Sequence, residues 1–283
     1  MTLSSIQLEA FYAVARTLSF SKAAKDLHIT QSALSQRVLN LEDQLRSKLF
    51  IRAASGVRCT ESGNILLRYC RNQKLLEHES LSQLSAMANG NKQSLEGQIR
   101  IGGYSTVMRS IVLERLSDLV RNSNIQLEAH VLELSDLPKA LHSGLIDYMV
   151  LDRSLGNTGR YDTQIIGFEE NILVESTQIG ADKKNTYLDH DPGDQTTFHF
   201  FKWNNQSTKK FQRSYLDDIY GIIDAVEKGL GRAVVPMHLI QQKKNIRLVA
   251  KFKPMKTPIV LHYYRRPYYG TLHQQVLDSL LVR

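Results

Sequence analysis

Cysteine, proline and tryptophan are all scarce in this chain: 2 Cys, 6 Pro and 1 Trp in 283 residues. Two thiols, Cys59 and Cys70, are too few for a disulfide framework and too far apart for a Cys-x-x-Cys redox or metal motif, so reduced, buried thiols are expected. With so little proline and only 16 Gly, neither a collagen-like repeat nor a low-complexity polymer fits. No run approaches the roughly 18–20 uninterrupted apolar residues of a membrane helix. The opening, Met1 to Glu9, lacks the basic start and apolar block of a secretion signal, and a cytoplasmic location without membrane contact is expected. Also missing are G-x-S-x-G, Walker and G-x-G-x-x-G patterns, and the nine histidines are scattered, so nothing points to an enzyme or to a cofactor.

What the chain does have is 42% apolar and 23% charged residues, the balance of a globular protein, over a length that suits about two domains. Its net charge of +8 is unevenly spread. Residues 1–90 hold 11 Lys and Arg against 7 Asp and Glu, residues 91–200 hold 10 against 16, and residues 201–283 hold 15 against 5. A basic head therefore precedes an acidic middle, which permits a nucleic-acid partner without requiring one.

In the head, Leu3, Ile6, Leu8, Phe11, Val14 and Ala15 recur at helical spacing, with Ser4 or Ser5 available as N-cap. Ser21 can cap a second, short helix with Ala23, Ala24 and Leu27 on one face, ending at His28-Ile29. Thr30 caps a third, in which Ala33, Leu34, Val38, Leu41 and Leu45 form the inward stripe. Gln31, Ser32, Ser35, Gln36 and Arg37 fall largely on the opposite face. Two short helices joined tightly fit a helix-turn-helix whose second helix enters the DNA major groove, where Gln and Ser reach base edges and Arg37 reaches base or phosphate. A polar, solvated face of a small helical domain explains the same residues. Residues 49–60 then read as two extended pieces around a Ser-Gly turn with Arg52 and Arg58 projecting, and this wing favours the DNA reading.

From Thr60-Glu-Ser-Gly63 to about Asn89 the pattern is one long helix whose Leu66, Leu67, Leu76, Leu81 and Leu84 have no core of their own, so a partner chain is expected to cover them. Asn89 to Ser94 is polar, the best candidate for an interdomain hinge. Beyond it strands and helices alternate: strands at 98–102, 125–132, 147–151, 163–168, 171–175, 187–189, 213–216, 233–236, 246–249 and 259–264, with helices at 107–120, 137–143, from about 194, 219–228 and 269–281. That alternation is βαβ architecture.

Phe20-Ser-Lys-Ala-Ala24, Ile29-Thr-Gln-Ser-Ala-Leu-Ser-Gln-Arg37, Leu41-Glu42, Leu49-Phe50, Arg52 and Thr60-Glu-Ser-Gly63 together resemble the LysR-type transcriptional regulators. Ile99-Arg-Ile-Gly102, Ser105-Thr106, Leu141 to Asp147, Gly229-Leu-Gly231 and Pro236 match more loosely. The resemblance implies a multi-domain chain. An N-terminal α winged helix-turn-helix occupies 1–60, a dimerising linker helix 61–90 and a hinge 91–97. A C-terminal α/β two-lobed effector domain, similar to periplasmic binding proteins, fills 98–283, with lobe I about 98–162 and 265–283 and lobe II about 163–264. It also implies partners: an operator in double-stranded DNA, a small-molecule effector, a second copy in a homodimer or tetramer, and RNA polymerase. Ser21, Gln31, Ser32, Ser35, Gln36, Arg37, Arg52 and Arg58 are the DNA-binding candidates. Ser32 stands where many members have Pro and Cys59 where most have Leu, and the acidic stretch 176–195 is short for the family.

For the effector, Ser105 and Thr106 end a Gly-Gly-Tyr loop at a strand's C-terminal edge, where open α/β sheets bind ligands; helix capping explains them too. Asp218 is the candidate facing them, with N-capping as its competitor. Acidic groups there, the acidic middle segment, and a likeness of 29–37 to the arginine- and lysine-responsive branch of the family point to a cationic or zwitterionic amino acid. Asp189-His-Asp191 with Asp194 and His199 carries metal-ligating side chains, but His-Asp-Pro-Gly is also an ordinary turn and no metal is expected. The other reading of the chain is a stand-alone small-molecule binding protein whose helical head serves assembly.

Overall fold

Ser5–Thr17 forms α1, with Ser4 at the N-cap position but making no side-chain cap, and Leu8, Phe11, Val14 and Ala15 facing the core. In the computed structural model, residues 3–53, 56–89, 95–156, 159–207, 211–266 and 268–281 are described. Helix α2 is Phe20–Asp26, and its cap is Ser19, not Ser21: Ser19 has the extended backbone a cap needs and accepts from the Lys22 N–H, whereas Ser21 is already helical. His28 turns the chain in a left-handed conformation, and Thr30 caps α3 (Gln31–Leu45) by accepting from the Ala33 N–H at 3.2 Å. Leu34, Val38 and Leu41 point inward; Ala33 is exposed, because it lies a full 100° around the helix from Leu34.

Strands β1 (Phe50–Ala53) and β2 (Gly56–Cys59) form the antiparallel wing; its turn residues 54–55 lie outside the described residues. The wing is tied to α3 by Glu42, which is 6% exposed. Its Oε1 accepts from the Leu49 and Phe50 N–H groups and its Oε2 pairs with Lys48 at 2.8 Å. Burial pushes the Glu42 carboxyl up, but the Lys48 ammonium and the two backbone donors more than offset it, leaving it below its ordinary value.

Helix α4, Glu61–Asn89, starts where the Thr60 hydroxyl accepts from the Gly63 N–H and donates to the Lys48 carbonyl. Gly63 is required by a close approach, since a Cβ there would overlap the Leu49 carbonyl oxygen. Leu66, Leu67 and Cys70 join the head core with Phe11, Leu34 and Phe50, so the expectation that Leu66 and Leu67 lack a core is corrected: the head shares the first turns of α4. Ile65, Tyr69, Leu75, Leu76, Leu81 and Leu84 remain 42–62% exposed. Of the expected hinge, 91–94 lie outside the described residues and 96–97 already belong to a strand.

The remaining elements are β3 (Glu96–Gly103), α5 (Ser105–Val107), a π-helical turn (Met108–Val112), α6 (Leu113–Arg121), β4 (Asn124–Val131), α7 (Leu137–Ser143), β5 (Tyr148–Leu151) and β6 (Tyr161–Ser176). They continue through β7 (Thr186–Asp189), α8 (Thr196–Trp203), β8 (Gln212–Tyr215), α9 (Ile219–Glu227), β9 (Ala233–Pro236), β10 (Ile246–Leu248), β11 (Met255–Tyr264) and α10 (Thr271–Leu280). The two strands expected at 163–168 and 171–175 are one strand, β6. It stays continuous because β11 pairs with it from Tyr161 to Asn171 and β9 and β10 take over from Asn171 to Ser176.

Two compact units result. One comprises Met1–Gly102, Leu116–Met149 and Arg266–Ser279. In it β3 lies between β5 and β4, parallel to β5, and α4 docks on two helix ends. Arg68 donates to the His142 carbonyl at 2.8 Å and Arg71 to the Gly144 carbonyl, at the C-terminal end of α7; Glu79 accepts from the Thr271 N–H at 2.8 Å and from its hydroxyl, at the start of α10. Cations thus meet a carbonyl end and an anion meets an N–H end, matching the helix dipoles. The other unit comprises Gly103–Arg115, Val150–Arg265 and Leu280–Arg283. There β6 carries β11, β10 and β9, and α9 packs Ile222, Ile223 and Val226 on Ile172, Val174 and Val235.

Candidate functional site

The outward face of α3 carries Gln31, Ser32 and Gln36 exposed, with Ser35 and Arg37 partly covered. Ser21, one helix earlier, donates to the Gln31 Oε1 at 2.8 Å, Ser32 shares a hydrogen bond with Thr30 at 3.0 Å, and Gln36 donates to Asn40 at 2.8 Å. Ser21 is therefore brought to the same surface as Gln31, as a partner of that amide. In the wing, Ile51 pairs with Arg58 and Arg52 with Val57, so consecutive positions alternate and Arg52 and Arg58 leave the ribbon on opposite faces. Arg52 folds back over the Phe20 ring, 4.2 Å from its centroid, and Arg58 is exposed.

The two thiols belong to the packing. Burial pushes both Cys59 and Cys70 up to about 11, which keeps them protonated and unreactive at neutral pH.

In the second unit, Ser105 and Thr106 open α5 directly after the Gly102-Gly103-Tyr104 strand end. Thr106 is 6% exposed and its hydroxyl makes no well-formed hydrogen bond, though it lies close to Glu169. Beside it lies a residue the sequence reading missed: Glu169 on β6, 7% exposed, whose Oε2 accepts from the Tyr104 hydroxyl at 3.3 Å and whose Oε1 is also without a partner. Burial pushes the Glu169 carboxyl up, the Thr106 and Tyr104 hydroxyls pull it part of the way back, and Asp152 pushes it up again, for a net rise. Burial, with Glu169 and Asp152 nearby, drives the Tyr104 phenol upward as well. Glu169 escaped the reading because Glu169-Glu170-Asn171 looked like a break between strands; an alternation of buried and exposed polar groups within a long strand was the available signal.

Asp218 caps α9, its Oδ2 accepting from the Gly221 N–H at 2.8 Å. The first turn of α9 does approach the helix that begins at Ser105, since Arg109 stands 4.5 Å over the Tyr220 ring. The Asp/His segment is used internally: Asp189, 2% exposed, pairs with Arg213 and accepts from the Thr197 hydroxyl, and Asp194 accepts from the His190 and Thr196 N–H groups. Among the described residues, no group of three or more His, Cys, Asp or Glu side chains is arranged to hold a metal. No described helix is long and apolar enough to cross a membrane.

Comparison with known proteins extends this geometry. Residues 6–64 match the bacterial regulatory helix-turn-helix protein, lysR family, and residues 92–282 match the LysR substrate binding domain. A RuBisCO operon transcriptional regulator of Allochromatium vinosum is 27% identical over 264 residues, 87% of this chain and 84% of its own. Among solved structures, ArgP from Mycobacterium tuberculosis superposes with a TM-score of 0.80 at 21% identity, over 99% of this chain and 97% of its own. Full-length LysG from Corynebacterium glutamicum with bound effector Arg gives 0.74 at 17%, over the same shares. The fold they share is an N-terminal winged helix-turn-helix, a linker helix and a two-lobed α/β domain like that of periplasmic binding proteins.

Proposed function

Because the chain belongs to the LysR family of bacterial transcriptional regulators, which are not enzymes, we propose that its head reads a double-stranded operator and that a small amino acid, cationic or zwitterionic, controls the reading. One observation carries the DNA part: α3 is capped by Thr30 and presents Gln31, Ser32, Ser35, Gln36 and Arg37 on its outward face, with Ser21 positioning Gln31. Gln31, Ser35 and Arg37 contact base edges, and Arg58 from the wing contacts phosphate, with Arg52 nearer the head's own core.

Ser105 and Thr106 hold the effector, with Asp218 facing them from the start of α9. The charge of the surroundings supports a cationic or zwitterionic ligand, and LysG, a relative in fold, binds arginine. The division proposed is the one expected from the sequence, 1–60 for DNA, 61–90 for dimerisation and the remainder for the effector, with lobes at about 98–162 plus 265–283 and about 163–264, except that the hinge expected at 91–97 ends before β3 takes up Glu96. A homodimer or tetramer working in the cytoplasm, with RNA polymerase as a downstream partner, completes the reading. The stand-alone binding protein has no use for the polar face of α3.

Selection from random duplex DNA with the full-length protein tests the first part: a two-part site is expected, and absence of enrichment overturns the assignment. Calorimetry with basic, neutral and acidic amino acids tests the second. Ser105→Ala with Thr106→Val removes two hydroxyls at ~0.5–1.5 kcal/mol each, so affinity falls by about fivefold to a hundredfold while DNA binding survives. Heat from dicarboxylates alone overturns the charge argument, and unchanged affinity in the double variant reduces the two hydroxyls to a helix start.

A further inference from the structure

We propose that Glu169 binds the α-ammonium group of an amino-acid effector whose carboxylate is held at Ser105 and Thr106; this rests on the effector reading above and assigns one group within it. The strand that carries Glu169 supplies its own comparison. Six residues on, Glu175 is equally buried, and Arg232 and Arg247 each grip one of its oxygens at 2.6–3.0 Å. Glu169 has no such cation in any ion pair among the described residues; its neighbours are the Tyr104 and Thr106 hydroxyls and a second acid, Asp152, whose own pairing is with Arg153 at 2.8 Å. A carboxyl held away from water beside another acid, with one oxygen unpartnered, is unfavourable until a cation arrives.

Thr106 sharpens the chemistry of that cation. Its hydroxyl is buried, makes no well-formed hydrogen bond, and lies close enough to Glu169 to draw the carboxyl downward. In an α-amino acid the ammonium and the carboxylate hang from one carbon, so a site that reads the carboxylate through Ser105 and Thr106 must read the ammonium next door. Glu169 is the acid found there, held by the Tyr104 hydroxyl.

Calorimetry on the full-length protein separates this from a merely structural glutamate. The probes are L-arginine and L-lysine against their α-deaminated counterparts, 5-guanidinopentanoate and 6-aminohexanoate, with the remaining common amino acids as a panel. The wild type is expected to bind a deaminated acid at least about tenfold more weakly than its parent. Glu169→Gln should lose at least about tenfold for the parent and should no longer distinguish the pair. Its melting temperature should hold or rise, because an uncompensated acid has been removed. Equal binding of parent and deaminated acid by the wild type overturns the proposal with no variant needed, and so does a Glu169→Gln protein that keeps the distinction. If binding still depends on Ser105 and Thr106 in either case, the effector reading stands without it. No heat from any common amino acid overturns both.

Discussion

Gln31 presents an amide whose oxygen is already engaged by the Ser21 hydroxyl, so the nitrogen is the end left to donate toward an acceptor such as a purine N7. Gln31→Ala is expected to cost about 1–3 kcal/mol on the selected operator and little on random duplex. Ser21→Ala should relax discrimination at the same base step by a smaller amount, because it frees the amide to flip. Arg58→Ala should weaken both DNAs alike and lower the salt slope by about 1, the mark of one lost phosphate contact. Equal losses on both DNAs for Gln31→Ala, measured by fluorescence anisotropy across a salt series, would reject the assignment of α3. Arg52 behaves differently at this scale, since its stacking on Phe20 makes Arg52→Ala a change in the head's packing as well as its charge.

Glu42 gives the head an acid limit. Its carboxyl lies below the ordinary 4.5 when folded, so its contribution is complete above that value and disappears as the pH falls through the lower, folded value. Glu42→Gln gives up the Lys48 pair and the charged acceptor for two backbone donors, a loss of about 1.5–3 kcal/mol near neutrality. Denaturant titrations at pH 7 and pH 3 should show the difference between wild type and variant shrinking in acid; a constant difference would mean that packing, not charge, holds the wing.

Among the elements, α4 divides its surface three ways. Leu66, Leu67 and Cys70 belong to the head, Arg68, Arg71 and Glu79 to the ends of α7 and α10, and Ile65, Tyr69 and Leu76 form a third stripe that stays open to solvent. If the second copy proposed above packs on that third stripe, a charge placed there should be costly. Leu76→Asp should cost the assembly about 2–4 kcal/mol by placing a charge in the seam, read as a higher dimer dissociation constant in sedimentation with the monomer's helicity unchanged. A wild type that sediments as a folded monomer at micromolar concentration would refute the pairing. Two of the five leucines expected at this seam from the sequence, Leu66 and Leu67, turn inward instead, since periodicity marks an apolar face without saying which neighbour covers it.

The same limit explains what could be read elsewhere. Helix α7 and strand β9 fall on the residues expected of them because Gly144 and Pro236 punctuate them locally. The cap at Thr30 and the polar face of α3 were legible for the same reason: short-range rules decide them. Strand β6 was not, as its continuity through Glu169 and Glu170 is imposed by β11, whose pairing partners lie some ninety residues away. Ser105 and Thr106 announced themselves by sitting between a strand and a helix; Glu169 becomes part of their surroundings only through that long-range pairing.

Across the whole chain, the contact of α4 with α7 and α10 joins the DNA-reading head to part of the regulatory region within one compact unit. Gly144 makes the contact possible: its φ of +72° suits glycine, and a Cβ there would collide with the Arg71 guanidinium that reaches its carbonyl. Gly144→Ala should therefore undock Arg71 and add about 1–2 kcal/mol of backbone strain without altering α4 itself. Arg71→Ala should reproduce the undocking without the strain. Proteolytic cutting between α7 and β5 should accelerate in both variants; protection unchanged in both would show that Arg68 and Glu79 hold the dock alone.

A single helix that is core to the head and clamp to two other helices has a consequence for how the protein opens. The amides at the end of α7, the start of α10 and the first turns of α4 should share one exchange rate with solvent deuterium, because none can open while the others remain closed. The head should accordingly melt together with that part of the regulatory region in a common calorimetric transition. A signal that loosens the clamp would then reach the DNA-reading surface as a change in cooperativity, before any atom of α3 has moved.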